Sequence, residues 1–370
     1  MKPILPTIIL LLLTGQSNLC SSERFVPADN PNIQYSGRWD MTSPARPRYS
    51  WSGISVTAIF SGTRIGVRLA DRDTYYNVYI DGELYNVFHG DSAEEKDYIL
   101  ADSLQAGRHT LRFSKRNSAF DTNYVFAGLL LDEAGELYPP APKPARRIEF
   151  IGDSFTVGEG NEATQLEMPW VETIPVTNLD RAFAPQVAAH FDADYFVTAR
   201  SGFGMVSEWT GNRDNTLPAR FDRALCEVDG PKWDFSQWVP DLVVIFLGLN
   251  DHGGLRAEDG SVSDENSAFF RQGYHDFLKQ IRAVYPGARI LAAAAFVEWI
   301  GDNVHEVVAD EVAAGNRDIF YTQFDRFEGG YVANGHPSVA AHDKMAAHLI
   351  KVIEELNLFP DSERSSKGDE

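Results

Sequence analysis

Short runs of alternating or β-branched apolar residues recur through the first third of the chain and predict strands. They lie at residues 54–60, 64–69, 75–80, 109–113 and 124–131, and turn-forming pairs such as Asp81-Gly82 separate them. No helical spacing interrupts this series. We therefore predict an all-β domain, a β-sandwich or jelly roll, over residues 24–138.

From residue 147 onward, strand patterns alternate with helix patterns. The predicted strands are 147–151, 195–199, 242–247 and 289–294, and the predicted helices are 183–191, 267–285 and 338–356. The run at 242–247 shows no polar alternation, which indicates a strand that is covered on both faces. The pattern predicts an α/β domain over residues 147–360, in which helices flank a parallel sheet.

The remaining segments differ in composition from both domains. One basic residue followed by a short apolar run predicts a secretory signal peptide at residues 1–22, and hence a secreted or periplasmic protein without stable membrane insertion. Lipid attachment at Cys20 is an alternative, but Leu19 stands where a small residue is expected. Prolines predict a stiff linker at residues 139–146. The polar residues 361–370 are predicted to form a disordered tail.

Charge and cysteine content exclude several classes of function. A net charge of -20 argues against nucleic acid and anionic membranes as partners and favours neutral substrates. If Cys20 leaves with the signal peptide, Cys226 has no intramolecular partner, and stability depends on core burial rather than on disulfides. Neither cysteine has metal-ligand spacing, and no second histidine follows His305-Glu306 at the zincin spacing. We therefore predict neither a metal nor a cofactor.

Four short clusters in the second domain carry chemistry. Gly152-Asp153-Ser154 follows the first predicted strand, Gly202 follows the second, Asn250 follows the third, and His336 precedes the last helix. Because parallel strands end at the same edge of a sheet, these clusters are predicted to meet there.

The four clusters together fit an acyl-transfer site. Ser154 is the candidate nucleophile and His336 the candidate general base. The backbone N–H groups of Ser154 and Gly202, with the side-chain amide of Asn250, are candidates for an oxyanion hole. We interpret Asp153 as a structural turn acid that bonds the loop backbone, and Asp251 in the same way.

The order of these clusters resembles the four-block pattern of the SGNH, or GDSL-type, hydrolases, over about residues 147–358. The chain is similar to carbohydrate esterase family 2 in three respects. A β-rich domain precedes the hydrolase domain, and the segments at residues 151–161 and 336–338 match the family pattern. The resemblance implies a jelly roll packed on a three-layer α/β/α hydrolase domain. It also implies serine ester chemistry without a metal, and acetylated plant polysaccharides of the xylan or glucomannan type as substrates.

The residues before His336 depart from the family pattern. Most SGNH enzymes have an aspartate three residues before the histidine, where this chain has Ala333, and family 2 often has an acid two residues before it, where this chain has Asn334. The Asn334 side-chain oxygen, or a backbone carbonyl, could accept the imidazole Nδ1 proton and orient the ring. The resemblance includes family 2 members described as Ser–His dyads with a carbonyl partner.

Aromatic side chains near the site are candidates for sugar binding. The resemblance implies a stacking surface for which Trp299 and Trp209 are candidates, and core packing is the alternative for both. The N-terminal aromatic residues predicted to lie in the core or between the domains, with sugar binding as the alternative, are Trp39, Trp51, Tyr75 and Tyr76.

Two other functions stay open at this point. The chain could be an SGNH esterase that acts on lipids or small acyl esters. It could also be a carbohydrate-binding protein whose hydrolase domain has decayed, a reading supported by Ala333 and Asn334. The sequence does not determine the oligomeric state.

Overall fold

The computed structural model describes residues 23–118, 124–227 and 230–359. The predicted signal peptide, Cys20 and the predicted C-terminal tail lie outside the described residues. Among the described helices, none combines the length and the apolar character that a membrane crossing requires.

The N-terminal domain consists of two antiparallel sheets that share one core. Its strands are β1 (Glu23–Pro27), β2 (Ile33–Ser36), β3 (Arg48–Tyr49), β4 (Ser55–Gly62), β5 (Ile65–Asp71), β6 (Tyr75–Ile80), β7 (Glu83–His89), β8 (Ser92–Ala101), β9 (Gly107–Lys115), β10 (Tyr124–Asp132) and β11 (Leu137–Tyr138). One sheet has the order β1-β10-β5-β8, with β3 beside β10, and the other has the order β11-β4-β9-β6-β7, with β2 beside β4. Alternate residues of β4 and β5, such as Phe60 and Val67, are buried in the shared core.

The prediction of a β-rich N-terminal domain is confirmed, but the sequence pattern misses two of its longer strands. Nearly every residue of β7 and most residues of β8 are exposed. Because both strands lie at sheet edges, burial does not impose an alternating pattern on them.

The second domain is built on a parallel sheet in the order β13-β12-β14-β15-β16. Its strands are β12 (Arg146–Gly152), β13 (Ala193–Ala199), β14 (Leu242–Phe246), β15 (Arg289–Ala294) and β16 (Ile319–Gln323), and a small hairpin is formed by β17 (Tyr331–Val332) and β18 (His336–Pro337). The helices are α1 (Ser154–Val157), α2 (Trp170–Thr173), α3 (Phe183–His190), α4 (Leu217–Arg220), α5 (Leu249–Leu255), α6 (Asp264–Val284), α7 (Glu298–Ala313) and α8 (Val339–Glu355). The predicted α/β class with a parallel sheet is confirmed.

Helices cover both faces of this sheet. Neighbouring residues of a strand point to opposite faces. On β12, the Phe150 ring packs edge-to-face against Phe183 of α3, whereas Glu149 approaches Tyr285 at the end of α6. The two helices therefore lie on opposite sides, which gives three layers.

The sequence pattern misses strand β16 and helix α7. Three of the five β16 residues are half-buried, and so the strand lacks the continuous apolar run of β14. In α7, Gly301 and Asn303 lie among the buried residues and interrupt the apolar stripe that predicts a helix.

The two domains are joined by an extensive interface. The buried Trp51 of the N-terminal domain belongs to the core cluster of the α/β domain. The predicted linker contacts both domains. The Lys143 ammonium donates to the Tyr35 carbonyl of the N-terminal domain at 2.9 Å and pairs with Asp194 of the α/β domain at 3.2 Å. Trp39 and Tyr76 lie in the sandwich core.

Cys226 is buried and free of disulfides in the described residues. Burial raises the pKa of its thiol far above the usual range. The residue therefore packs as a small apolar side chain rather than acting as a reactive thiol.

Candidate active site

Ser154 lies where the first strand of the parallel sheet turns into a helix. Strand β12 ends at Gly152, and Asp153 caps α1 by accepting a hydrogen bond from the Phe155 N–H at 3.0 Å. A Cβ atom on Gly152 would lie 2.0 Å from the Thr156 hydroxyl, so only glycine fits this tight turn. The chain passes from β12 to β13 on one side and then to β14 on the other, which places Ser154 at the topological switch point of the sheet.

His336 bonds to Ser154 on one side and to a backbone carbonyl on the other. The imidazole Nε2 lies 2.9 Å from the Ser154 Oγ, and Nδ1 lies 2.7 Å from the Ala333 carbonyl oxygen. Because a carbonyl only accepts, Nδ1 carries the proton, and Nε2 is left with a lone pair for the serine hydroxyl proton. This geometry suits a general base that acts on Ser154.

A tight loop presents the Ala333 carbonyl to the imidazole. Ala333 and Asn334 both adopt left-handed backbone conformations, with φ values of 39° and 63°. Their N–H groups donate to the carbonyls of Gln165 and Leu166 at 2.8 and 2.7 Å. The loop is thus held by the backbone of the irregular segment at residues 165–168.

Of the two groups that the sequence offers to orient His336, the structure places the backbone carbonyl, and not the Asn334 side chain, against Nδ1. The Asn334 Oδ1 accepts from the Met168 N–H at 3.0 Å, and its Nδ2 donates to the Met168 carbonyl at 2.9 Å. With both ends of the amide engaged, Asn334 fixes the loop, and the Ala333 carbonyl orients the ring.

The two candidate backbone donors of the oxyanion hole are available. Within the described part of the chain, neither the Ser154 N–H nor the Gly202 N–H donates to a protein acceptor. Ser154 is the first residue of α1, where helical geometry leaves N–H groups unpaired. Gly202 has a φ of 84°, a conformation that suits glycine.

The N-terminal domain supports the loop that carries Gly202. The Ser52 hydroxyl donates to the Ala199 carbonyl at 3.0 Å, and the Ser201 N–H donates to the Ser118 hydroxyl at 3.3 Å. The sandwich therefore helps to position the candidate oxyanion hole.

Asn250 lies on α5, and its side chain bridges the Ser154 cluster and the Gly202 cluster. Its Nδ2 donates to the Phe203 carbonyl at 2.9 Å and to the Asp153 carboxylate at 3.2 Å. Both amide hydrogens are engaged, so Asn250 can serve an oxyanion only when one of these bonds, the longer one to Asp153, is released.

Asp153 and Asp251 are fully buried and bond the loop backbone, as their interpretation as turn acids requires. Asp251 accepts from the N–H groups of Met205, Val206 and Ser207 at 2.8, 2.7 and 3.0 Å. Burial raises the pKa of Asp153 to about 7 and that of Asp251 to about 6.

The two candidate tryptophans differ in their surroundings. Trp209 is 64% exposed, and its indole lies within 3.5 Å of the position of a Cβ atom on Gly202. Trp299 is half-buried, donates from Nε1 to the Ser267 hydroxyl at 2.9 Å and packs against Phe270. Trp209 therefore presents an open aromatic face beside the oxyanion loop, whereas Trp299 is tied into the packing of α6 and α7.

Sequence reasoning did not find the segment at residues 165–168 or the serines Ser52 and Ser118. They act through main-chain pairing and hydrogen bonds across the domain interface, which leave no motif. Within the described ranges, no group of three or more His, Cys, Asp or Glu side chains is arranged to hold a metal ion.

Comparisons with known proteins agree with this architecture. The carbohydrate esterase 2 N-terminal model matches residues 35–142, and the GDSL-like lipase/acylhydrolase family model matches residues 150–344, more than half of the chain. The cellulase/esterase CelE of Acetivibrio thermocellus is 32% identical over 335 residues, which cover 88% of this chain and 39% of that protein. This chain thus spans well under half the length of CelE.

Further relatives match along most of their length. An acetylxylan esterase / glucomannan deacetylase of Cellvibrio japonicus is 28% identical over 93% of this chain and 96% of that protein. The structure of a family two carbohydrate esterase from Clostridium thermocellum in complex with cellohexaose is 29% identical, with a TM-score of 0.79, and covers 88% of this chain and 99% of that one. The structure of an active site mutant of a family two carbohydrate esterase from Clostridium thermocellum is 30% identical, with a TM-score of 0.80, and covers 88% of this chain and 98% of that chain. The chain belongs to the GDSL-like lipase/acylhydrolase family and, within it, to carbohydrate esterase family 2.

Proposed function

We propose that the protein is a secreted esterase that removes O-acetyl groups from plant polysaccharides of the xylan or glucomannan type. The observation that carries this proposal is the continuous bond series from Ser154 Oγ through the His336 ring to the Ala333 carbonyl. The names of two relatives from Cellvibrio japonicus, acetylxylan esterase / glucomannan deacetylase, support the substrate class.

In the first half of the reaction, the Ser154 Oγ attacks the acetyl carbonyl carbon while Nε2 of His336 takes the hydroxyl proton. The Nδ1–H of the resulting imidazolium donates to the Ala333 carbonyl, which stabilises the cation through a dipole rather than a full charge. The N–H groups of Ser154 and Gly202 bind the oxyanion. His336 then donates its proton to the departing sugar oxygen, and acetyl-Ser154 remains.

In the second half, His336 removes a proton from a water molecule that attacks the acetyl-enzyme. The tetrahedral intermediate collapses, acetate leaves, and Ser154 regains its proton from His336. Asn250 becomes a third oxyanion donor when Asp153 releases it. Because the pKa of Asp153 is raised to about 7, part of the population carries a neutral acid near pH 7, which binds the amide less strongly than a carboxylate.

A neutral sugar fits the surroundings of this dyad. Trp209 offers an exposed indole face beside Gly202, and aromatic faces stack on the apolar faces of sugar rings. The net charge of -20 disfavours polyanionic chains.

Removal of Ser154 tests the nucleophile. We expect Ser154→Ala to lower the rate of acetate release from acetylated xylan, glucomannan and 4-nitrophenyl acetate by roughly 10³-fold or more. The matched control is Ser236→Ala, an exposed serine in the turn before β14, which should keep the wild-type rate. Equal rates for Ser154→Ala and the wild type would refute the assignment.

Acyl-chain length tests the reading as a general or lipid esterase. We expect kcat/KM to fall steadily from 4-nitrophenyl acetate to the butyrate and octanoate esters. A preference for the longer esters would overturn the acetyl specificity while leaving the dyad intact.

Sequencing the N-terminus of the protein recovered from culture medium tests the proposed removal of residues 1–22.

A further inference from the structure

A groove crosses the junction between the two domains and has no role in the mechanism above. We name it the junction groove. It encloses about 690 Å³. The residues of its walls on which the argument rests are Arg72, Tyr75 and His89 from the N-terminal domain and Met168, Trp170 and Glu172 from the α/β domain.

The junction groove lies next to a second depression that reaches the loop at residues 333–335. This second depression of about 760 Å³, lined by Tyr331, Asn334 and Gly335, shares Met168 with the junction groove. Met168 is also the residue whose backbone bonds the Asn334 side chain at 2.9 and 3.0 Å. Met168 therefore links the wall of the junction groove to the loop whose Ala333 carbonyl bonds His336.

Aromatic faces line the groove in the way that a sugar chain requires. The Tyr75 ring is half-buried and stacks on the His89 ring, with centroids 4.2 Å apart and planes 23° apart. Trp170, at the start of α2, is 47% exposed. The two aromatic side chains come from different domains and border the same groove.

The charged side chains point to a neutral ligand. Arg72 pairs with the neighbouring Asp73 at 2.9 Å, and Glu172 is an exposed acid of the same groove. Charged groups of both signs can hydrogen-bond to the hydroxyl groups of a sugar. They do not repel a neutral chain, and they do not favour a polyanion.

We propose that the junction groove is a distal subsite that binds unsubstituted sugar units of the polysaccharide, several units away from the acetylated unit at Ser154. This inference rests on the proposed function. It predicts that the enzyme distinguishes long from short oligosaccharides through Trp170 and Tyr75, and that both domains contribute to this selectivity.

Direct binding tests the subsite independently of catalysis. Binding is measured by calorimetry in the Ser154→Ala background, with xylohexaose, mannohexaose and cellohexaose as ligands. Adding Trp170→Ala or Tyr75→Ala should make the dissociation constants for these hexasaccharides about 5- to 10-fold larger. The dissociation constants for the matching disaccharides should stay unchanged. Phe25→Ala, which removes a 39% exposed aromatic side chain on β1, should leave all values unchanged. Hexasaccharide binding that neither groove variant weakens would overturn the proposal.

Kinetics on the active chain separate this proposal from the proposed function. Trp170→Ala should raise KM for acetylated hexasaccharides about 5- to 10-fold and leave kcat/KM for 4-nitrophenyl acetate unchanged. A parallel loss on both substrates would indicate a structural role and overturn the subsite. If the wild type binds hexasaccharides through Trp170 but releases no acetate from any of them, the subsite stands and the esterase function fails.

Discussion

At the residue scale, the main feature is that a carbonyl occupies the position that a carboxylate holds in most serine hydrolases. The Ala333 oxygen lies 2.7 Å from His336 Nδ1 and fixes the same tautomer that an aspartate would fix. Ser154 and His336 could be singled out from the sequence because their chemistry depends on residue type, and their side chains lie 2.9 Å apart. The oxyanion roles of Gly202 and Asn250 stay predictions. The Ala333 carbonyl could not be singled out, because every residue has one, and only the left-handed turn aims this one at the ring.

Asn334→Asp tests whether residue 334 can act on the imidazole. The aspartate can still accept from the Met168 N–H, but it cannot donate to the Met168 carbonyl and places a negative charge against it. We expect kcat for 4-nitrophenyl acetate to fall about 3- to 10-fold, because the loop that holds the Ala333 carbonyl loosens. Asn334→Gly, which keeps the left-handed backbone and removes both bonds, should lose a similar amount. A rise in kcat for Asn334→Asp would show that residue 334 reaches His336.

At the scale of elements, burial decides what the sequence reveals. Strand β14 is buried on both faces and β15 nearly so, and their uninterrupted apolar runs predict them correctly. Edge strands β7 and β8 and helix α7 carry exposed or mixed residues and were missed. The segment at residues 165–168 has no regular secondary structure, so its role in holding the catalytic loop depends on the tertiary fold alone.

Gly160, in the loop after α1, packs against Ala333, in the loop at residues 333–335 that bonds His336. It has a φ of 61°, and a Cβ atom there would lie 2.4 Å from the Cβ of the fully buried Ala333. We expect Gly160→Ala to displace the Ala333 carbonyl, to lower kcat by about tenfold or more, and to cost roughly 1–3 kcal/mol of unfolding free energy. Activity assays and urea unfolding measure both effects.

Gly82→Ala is the matched control for this substitution. Gly82 also has a positive φ, 87°, but no atom lies within 4 Å of the added Cβ position. It should show a cost of about 1 kcal/mol from backbone strain with unchanged kcat. If Gly160→Ala also kept kcat, the contact with Ala333 would have no catalytic role.

At the scale of the whole molecule, the N-terminal domain supports the candidate active site. Its serines bond the Gly202 loop, and the Arg38 side chain reaches into the α/β domain, where it pairs with Glu149 of β12 at 2.7 Å. The Arg38 guanidinium also donates to the Phe221 carbonyl and lies 4.8 Å from the centre of the Phe221 ring. Both members of the pair are buried, with side-chain exposures of 1% and 0%. The interface is therefore expected to couple the unfolding of the two domains.

Breaking the pair tests this coupling. Arg38→Met leaves the Glu149 carboxylate buried with the hydroxyl groups of Thr198 and Tyr285 beside it, and we expect a loss of about 3–5 kcal/mol of unfolding free energy. Glu149→Gln should also destabilise the protein, because it leaves the guanidinium charge uncompensated. The double variant should lose less than the sum of the single losses, since neither charge is then left buried alone. Urea unfolding followed by tryptophan fluorescence and by residual esterase activity should show one coincident transition in the wild type. Additive losses would mean that the Arg38–Glu149 pair does not couple the two domains. Two separate transitions in the wild type would mean that the sandwich and the hydrolase domain unfold independently.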